Sequence, residues 1–183
     1  MGCSLDKLVS NLKEKGKKEN KTLQETFPNT YAYLKNSWGH VGEDAFPMLT
    51  RKGVYPYEYI NSMEKFEEKQ LPEIQHFYSS LTGENISDED YKFAQELWKK
   101  FDLKNIGGLH DLYMETDVVL LADVFETFRR SIMKKYKLDP APFLTAPGLS
   151  WVACLKMKKV QLELLTDIDM SICLLYTSPS PRD

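Results

Sequence analysis

Residues 110–130 have the sequence HDLYMETDVVLLADVFETFRR, in which apolar residues recur about every 3.6 positions, the period of an α-helix. The pattern predicts a long helix over residues 109–135. Its core face is predicted to carry Tyr113, Asp117, Leu121, Val124 and Phe128. Its solvent face is predicted to carry Glu115, Asp123, Glu126 and Arg130. The helix therefore places one carboxylate, that of Asp117, on its core face.

A charge in that position needs an explanation. An ionised carboxylate on a core face costs several kcal/mol unless a cation, a metal ion or several hydrogen-bond donors compensate it. The phenol of Tyr113, one turn earlier, projects towards the same place. Together the two side chains predict half of a functional site. The structural alternatives are that Asp117 is a buried cap or ion-pair partner, and that Tyr113 is a core residue with its hydroxyl at the edge.

The composition is that of a globular protein, and it limits the kinds of partner that we expect. The chain has 183 residues and a net charge of −3, which fits one domain or part of a larger one. No overall basic field favours a small autonomous DNA-binding domain, although a local acidic metal site that acts on DNA stays open. The three cysteines have neither disulfide nor zinc spacing. The longest apolar run, residues 118–122, is too short to cross a bilayer. We expect an intracellular protein without a membrane partner.

Other segments predict a mainly helical fragment. A glycine pair, Gly107-Gly108, predicts a break before the long helix. Residues 13–21 are charged and predict a solvated loop, and residues 51–59 predict a loop with a short strand. Residues 160–164 alternate as a strand would. Five further helices are predicted from caps and periodicity, over residues 5–13, 30–35, 72–81, 88–101 and 149–157.

The last eleven residues, 173–183, break with every pattern before them. Their sequence CLLYTSPSPRD resembles the in-frame translation of a transposase-based sequencing adapter. We therefore expect the biological sequence to stop near Ile172 and the parent protein to continue beyond it.

Several segments, taken in order, resemble family B DNA polymerases. The pattern Tyr113-x-x-x-Asp117, within the helix quoted above, is similar to the third exonuclease motif of that family. The similarity is closest to the protein-primed polymerases of organelles, viruses and Maverick/Polinton transposons. Further segments that resemble the transposon group are residues 51–59, 71–81, 86–91, 145–151 and 162–167.

The resemblance implies a 3′–5′ exonuclease site with two divalent metal ions. Two cations about 4 Å apart activate a water and stabilise the leaving 3′ oxygen, and hard oxygen ligands suit Mg²⁺ or Mn²⁺. By motif position, Asp117 would be a metal ligand and Tyr113 would orient the attacking water. Lys52 would match a lysine near the site. Thr145 and Trp151 would contact the template or primer strand.

The chain lacks most of the family's catalytic motifs. The first exonuclease motif, Asp-x-Glu, has no plausible match, and the second would precede Met1. The polymerase motifs, Asp-x-x-Ser-Leu-Tyr-Pro and Tyr-x-Asp-x-Asp, are absent as well. The two-metal site would thus be completed by residues outside this chain. We expect the chain alone to be inactive.

The resemblance also implies a fold, a domain division and a biological role. The chain would be a mainly α fragment of an α/β, ribonuclease-H-like exonuclease domain, with few short strands. Residues 1–138 would be the C-terminal part of that domain, 139–172 a linker and the start of the polymerase module, and 173–183 the adapter. The parent would replicate the DNA of a mobile element or virus, with primer–template DNA, deoxynucleotides and a terminal protein primer as partners. Two alternatives are a free-standing exonuclease of the same fold and a non-catalytic helical interaction module.

Overall fold

The computed structural model describes residues 4–80, 83–160, 162 and 166–177, and this part of the chain is mainly helical, as predicted. Its α-helices are α1 (Leu5–Lys18), α2 (Leu23–Thr26), α3 (Pro28–Ser37), α4 (Phe46–Leu49), α5 (Asp88–Lys100), α6 (Ile106–Tyr136), α7 (Ala146–Lys158) and α8 (Ile168–Thr177). Short 3₁₀ helices form at Gly39–Val41, Glu43–Ala45, Met63–Glu67 and Ile74–Phe77.

Extended backbone contributes little to the described part of the fold. It forms one isolated antiparallel bridge, between Ser79 and Glu84, and no named strand. The predicted short strand within residues 51–59 is an unpaired loop segment. The strand predicted at 160–164 falls mostly outside the described residues, as do residues 178–183 of the adapter-like end. None of the described helices is both long and apolar enough to span a membrane.

Capping residues set the starts of three helices, and the caps at Ser4 and Ser87 are the predicted ones. The side-chain oxygens of Ser4, Ser87 and Thr145 each accept a hydrogen bond from the backbone N–H three residues later. Thr145 thereby starts α7 three residues before the predicted start at residue 149. Helix α5 also has three acidic residues in its first turn, where their negative charges interact favourably with the positive end of the helix dipole.

Three other predicted boundaries are wrong. Helix α1 continues to Lys18 through the charged run predicted as a loop, because lysine and glutamate are good helix formers and lysines favour the last turn. Gly107 and Gly108 lie inside α6 and do not precede it, since the Asn105 side chain accepts from the Gly108 N–H and starts the helix earlier. The helix predicted over residues 72–81 is reduced, within the described residues 72–80, to the 3₁₀ helix Ile74–Phe77.

The chain divides into two compact units, Met1–Phe128 and Arg129–Asp183, with the boundary inside α6. The core of the first unit comes from α1, α3, α4, α5 and α6, and includes Val9, Leu34, Leu49, Phe101 and Leu112. In the second unit, Leu149 and Ala153 of α7 are buried. The sequence-based boundary after residue 138 stays a prediction.

The buried face of α6 is the predicted one shifted by one residue, a rotation of about 100°. It carries Ile106, Leu109, Leu112, Thr116, Leu120 and Asp123. The prediction is wrong for Leu121 and Phe128, which are 54% and 44% exposed, and for Asp123, which is only 1% exposed. Tyr113, Asp117 and Val124 lie at the edge of the buried face and are half-buried. The carboxylate that the core accepts is thus Asp123.

Candidate functional site

Tyr113 and Asp117 line the same small pocket in the first unit. The pocket has a volume of about 20 Å³, and its other walls come from α5 and from residues 48–54. Most of these walls are apolar, and Arg51 adds a cation. The Arg51 guanidinium is already engaged, since it pairs with Asp90 at 2.7 Å and lies over the Phe93 ring at 4.1 Å. The predicted pair of site residues is therefore brought together at one edge of the core.

The pocket also contains a buried hydroxyl without a hydrogen bond. Among the described residues, Thr116 Oγ1 finds no hydrogen-bond partner. A volume of about 20 Å³ is enough for one water molecule. A buried hydroxyl without a hydrogen-bond partner lowers the free energy of unfolding, so Thr116 destabilises the fold beside Asp117.

The phenol of Tyr113 is enclosed by an extended segment that precedes it by some sixty residues. The Tyr55 ring stacks on the Tyr113 ring with centroids 4.8 Å apart and planes inclined by 22°. The Tyr57 hydroxyl shares a short hydrogen bond with the Tyr113 hydroxyl. Burial raises the pKa of Tyr113, and the Tyr57 hydroxyl and the Asp117 carboxylate raise it further. The phenol is therefore protonated at neutral pH.

Gly53 allows the Tyr113 ring to lie where it does. A Cβ atom placed on Gly53 would be 2.6 Å from Tyr113 Cδ2, closer than real Cβ contacts allow. The neighbouring Tyr55 is fixed in turn, because its hydroxyl is 2.6 Å from His110 Nδ1. The His110 ring also packs on Phe66, with centroids 4.9 Å apart. Gly53, Tyr55 and Tyr57 thus form, with His110, a cage around Tyr113, which we call the tyrosine clamp.

Lys52, the third predicted site residue, lines a different cavity. It borders a groove of about 420 Å³ that shares Arg51, Gly53 and Val54 with the small pocket. The groove also has Tyr55, Tyr57 and Tyr78 in its walls, together with Asp6, Glu84 and Asp90. The Lys52 side chain is exposed. Lys52 therefore lies next to the Tyr113–Asp117 pocket without lining it.

The described residues around Asp117 provide few side chains that can bind a divalent metal ion. Within the described ranges, no group of three or more His, Cys, Asp or Glu side chains lies close enough to hold a metal. Asp117 contributes one carboxylate, and the pocket walls beside it are largely apolar. The described residues on their own therefore do not fit a two-metal centre. Asp117 can provide one ligand to such a centre.

Asp123, predicted to face solvent, is a structural residue that the sequence analysis missed. Its Oδ1 accepts from the Asn29 N–H at 2.9 Å and from Asn29 Nδ2 at 2.8 Å. Its Oδ2 accepts from the Thr30 N–H at 2.9 Å and from Thr30 Oγ1 at 2.7 Å. These donors belong to the first turn of α3, whose N-cap residue, Phe27, offers no side-chain acceptor. Asp123 therefore caps α3 from another helix.

Thr145 and Trp151, the predicted nucleic-acid contacts, both belong to the second unit. The Thr145 hydroxyl accepts from the Gly148 N–H at 3.3 Å and caps α7, so it has a structural task of its own. Trp151 lies on α7 with 60% of its surface exposed. The exposed indole is available for contact with another molecule.

The clamp residues could have been found from one signal in the sequence. Gly53, Tyr55 and Tyr57 alternate with a period of two, which places their side chains on one side of an extended segment. The prediction of a loop with a short strand over residues 51–59 does not use this alternation.

Comparison with known proteins found no matching family model, no matching curated protein and no matching solved structure. The residues of the chain and their geometry are therefore the basis of its proposed function.

Proposed function

We propose that this chain is the helical C-terminal part of a 3′–5′ exonuclease domain from a family B DNA polymerase, with Asp117 as a metal ligand. The observation that supports it best is the shared placement of Tyr113 and Asp117 at the edge of one pocket. Within the described residues no lysine, arginine or histidine forms an ion pair with Asp117. Asp123 differs because hydrogen bonds from Asn29 and Thr30 compensate its charge. The Asp117 carboxylate is thus free to bind a cation.

The surroundings of the two side chains determine what each can do. A bound divalent cation would supply Lewis-acid activation of water and stabilisation of the leaving oxygen. Asp117 would hold that cation through one carboxylate. Tyr113 stays protonated because burial and its neighbours raise its pKa, so it would act as a hydrogen-bonding group that orients a water and not as a general base.

The wider proposal follows the resemblance of the sequence. The intact domain would be an α/β, ribonuclease-H-like fold, and residues 139–172 would lead into a polymerase module. Its partners would be primer–template DNA, deoxynucleotides, Mg²⁺ or Mn²⁺ and a terminal protein. Lys52 would lie near the exonuclease site, and Thr145 and Trp151 would contact the template or primer strand.

One observation favours a second function, a non-catalytic helical interaction module. Helix α6 exposes a row of apolar side chains, Met114, Val118, Leu121, Phe125 and Phe128. Such rows commonly mark a surface that another protein segment covers. In this case Asp117 would be a structural acid beside a docking surface.

The deciding experiment starts from the genomic locus. Sequencing across both ends of the reading frame should reveal two further acidic exonuclease motifs upstream and polymerase motifs downstream. Exonuclease motifs without the polymerase motifs would favour a free-standing exonuclease. Genomic residues 173–183 followed by a stop codon would favour the interaction module.

The intact protein should then degrade single-stranded DNA from its 3′ end only when Mg²⁺ or Mn²⁺ is added. We expect Asp117→Ala to reduce kcat by at least about a hundredfold, since a metal ligand supplies several kcal/mol of transition-state stabilisation. The matched control is Asp111→Asn, which removes an exposed carboxylate of the same helix. Equal activity of both variants would contradict the assignment of Asp117.

A further inference from the structure

Tyr113 makes more contacts than a tyrosine needs for packing alone. Tyr55 covers one face of its ring, and the Tyr57 ring meets it edge-on at 6.0 Å and 89°. The ring also occupies the space that a Cβ atom on Gly53 would need. The Tyr57 hydroxyl is bonded to the Tyr113 hydroxyl itself. Ring and hydroxyl are therefore fixed independently.

The position of Tyr57 is unusual for a packing residue. Tyr57 is 63% exposed, so its burial contributes little to the core, yet its hydroxyl is directed at that of Tyr113. Two hydroxyls that share one hydrogen bond use one of their two protons and leave the other for a further partner. With Tyr57 as the donor, Tyr113 keeps its own proton and can still donate it to a water or to the Asp117 carboxylate.

A group that orients a reacting water must be held within about 0.5 Å of its working position. A half-buried tyrosine on a helix surface does not meet this requirement alone, because its long side chain swings about two torsions. The tyrosine clamp removes that freedom through contacts to the ring face, the ring edge and the oxygen. Among the clamp residues, Tyr57 therefore acts most directly on the position of the Tyr113 oxygen.

We propose that Tyr57 is a positioning residue, which fixes the Tyr113 hydroxyl through their shared hydrogen bond while Tyr55, anchored by His110, fixes the ring. The inference rests on the proposed exonuclease function. Two other roles for Tyr57 make different predictions. A packing residue would act through its ring alone, and a DNA-contact residue would act on substrate binding.

The first test uses the chain as it is and needs no activity. 3-Fluorotyrosine is incorporated at position 113, and its ¹⁹F spectrum is recorded at neutral pH. We expect Tyr57→Phe to add a second ring orientation to the spectrum, because the variant keeps the ring of residue 57 and removes the hydroxyl that holds residue 113. The control is Tyr78→Phe, a phenol in the same groove that is not bonded to Tyr113. Identical spectra for both variants would overturn the proposal.

The second test measures exonuclease kinetics in the intact protein. Loss of one hydrogen bond, worth about 1 kcal/mol, should lower kcat about fivefold in Tyr57→Phe with KM unchanged. In a Tyr113→Phe background, where kcat has already fallen, Tyr57→Phe should have no further effect. Multiplicative losses, or a raised KM in Tyr57→Phe, would overturn the positioning role.

The two tests separate this inference from the function on which it rests. An intact wild-type protein without exonuclease activity overturns the proposed function and the catalytic purpose of the clamp, whatever the ¹⁹F result. Exonuclease activity with an unchanged ¹⁹F signal in Tyr57→Phe overturns the positioning role alone.

Discussion

Two carboxylates of helix α6, Asp117 and Asp123, are six residues apart in the sequence and have opposite surroundings in the structure. Asp123 is buried and accepts hydrogen bonds from two backbone N–H groups and two side chains of α3. Asp117 is half-buried at the edge of a small, mainly apolar pocket beside Tyr113. The fully hydrogen-bonded Asp123 is thus a structural residue, whereas the partial exposure of Asp117 beside Tyr113 is what its proposed role as a metal ligand requires.

The same principle explains why Asp123 tolerates burial. Its four donors include N–H groups of the first turn of α3, where the helix dipole favours a negative charge. They replace the hydrogen bonds that water would otherwise provide. The long-range contact also connects residues more than ninety positions apart, so it holds α3 against α6 within the first unit.

The largest predicted effect separates the two acids directly. Asp123→Ala should lower the free energy of unfolding by about 3–5 kcal/mol, because it leaves buried donors of α3 without an acceptor. Asp117→Ala should change it by less than about 0.5 kcal/mol. Urea denaturation followed by circular dichroism measures both. A larger loss in Asp117→Ala than in Asp123→Ala would reverse the structural assignment.

Around Asp117 we expect stability to depend on packing and not on charge. Gly53→Ala should cost about 1–3 kcal/mol, since its Cβ would meet Tyr113 Cδ2 at 2.6 Å. In a Tyr113→Ala background the same substitution should cost much less, because the obstructing ring is gone. A double-mutant cycle from urea denaturation measures the difference. Equal costs in both backgrounds would mean that the ring does not limit this position.

A pair of identical substitutions compares a satisfied hydroxyl with an unsatisfied one. Thr30→Val removes the 2.7 Å donor to Asp123 and should lower the free energy of unfolding by about 1–2 kcal/mol. Thr116→Val removes a buried hydroxyl that has no partner among the described residues, and should leave stability unchanged or raise it by about 1 kcal/mol. Destabilisation by Thr116→Val equal to that by Thr30→Val would indicate a water bound in the pocket.

The sequence predicts the existence of α6 well and its orientation poorly, for a physical reason. Residues 118–122 are all apolar, so two adjacent stripes of the helix qualify as a core face. Asn29 and Thr30 determine which of the two stripes is buried, because they donate hydrogen bonds to Asp123 and so stabilise it in the core. Such a contact between distant residues is not visible in local periodicity.

The candidate site divides in the same way. The spacing of Tyr113 and Asp117 predicts correctly that they share one side of α6, because a helix fixes neighbours one turn apart. The tyrosine clamp depends on how residues 53–57 cross α6, which loop sequence does not determine. The helix starts at Ser4 and Ser87 are predicted correctly, since capping is a local interaction.

A third carboxylate, Asp139 in the second unit, extends the comparison to an exposed ion pair. The Arg129 guanidinium, 2.5 Å away, and the Ala141 N–H hold the pKa of Asp139 below its usual value of 3.8. A lowered carboxyl pKa contributes stability above the unfolded value and loses it as the pH falls through the folded one. The protection of the amides of residues 129–158, corrected for the intrinsic exchange rate at each pH, should therefore fall below about pH 4. Asp139→Asn, which cannot titrate, should flatten this dependence and leave residues 4–128 unaffected. An unchanged acid dependence in that variant would show that the pair adds nothing measurable, as is common for exposed ion pairs.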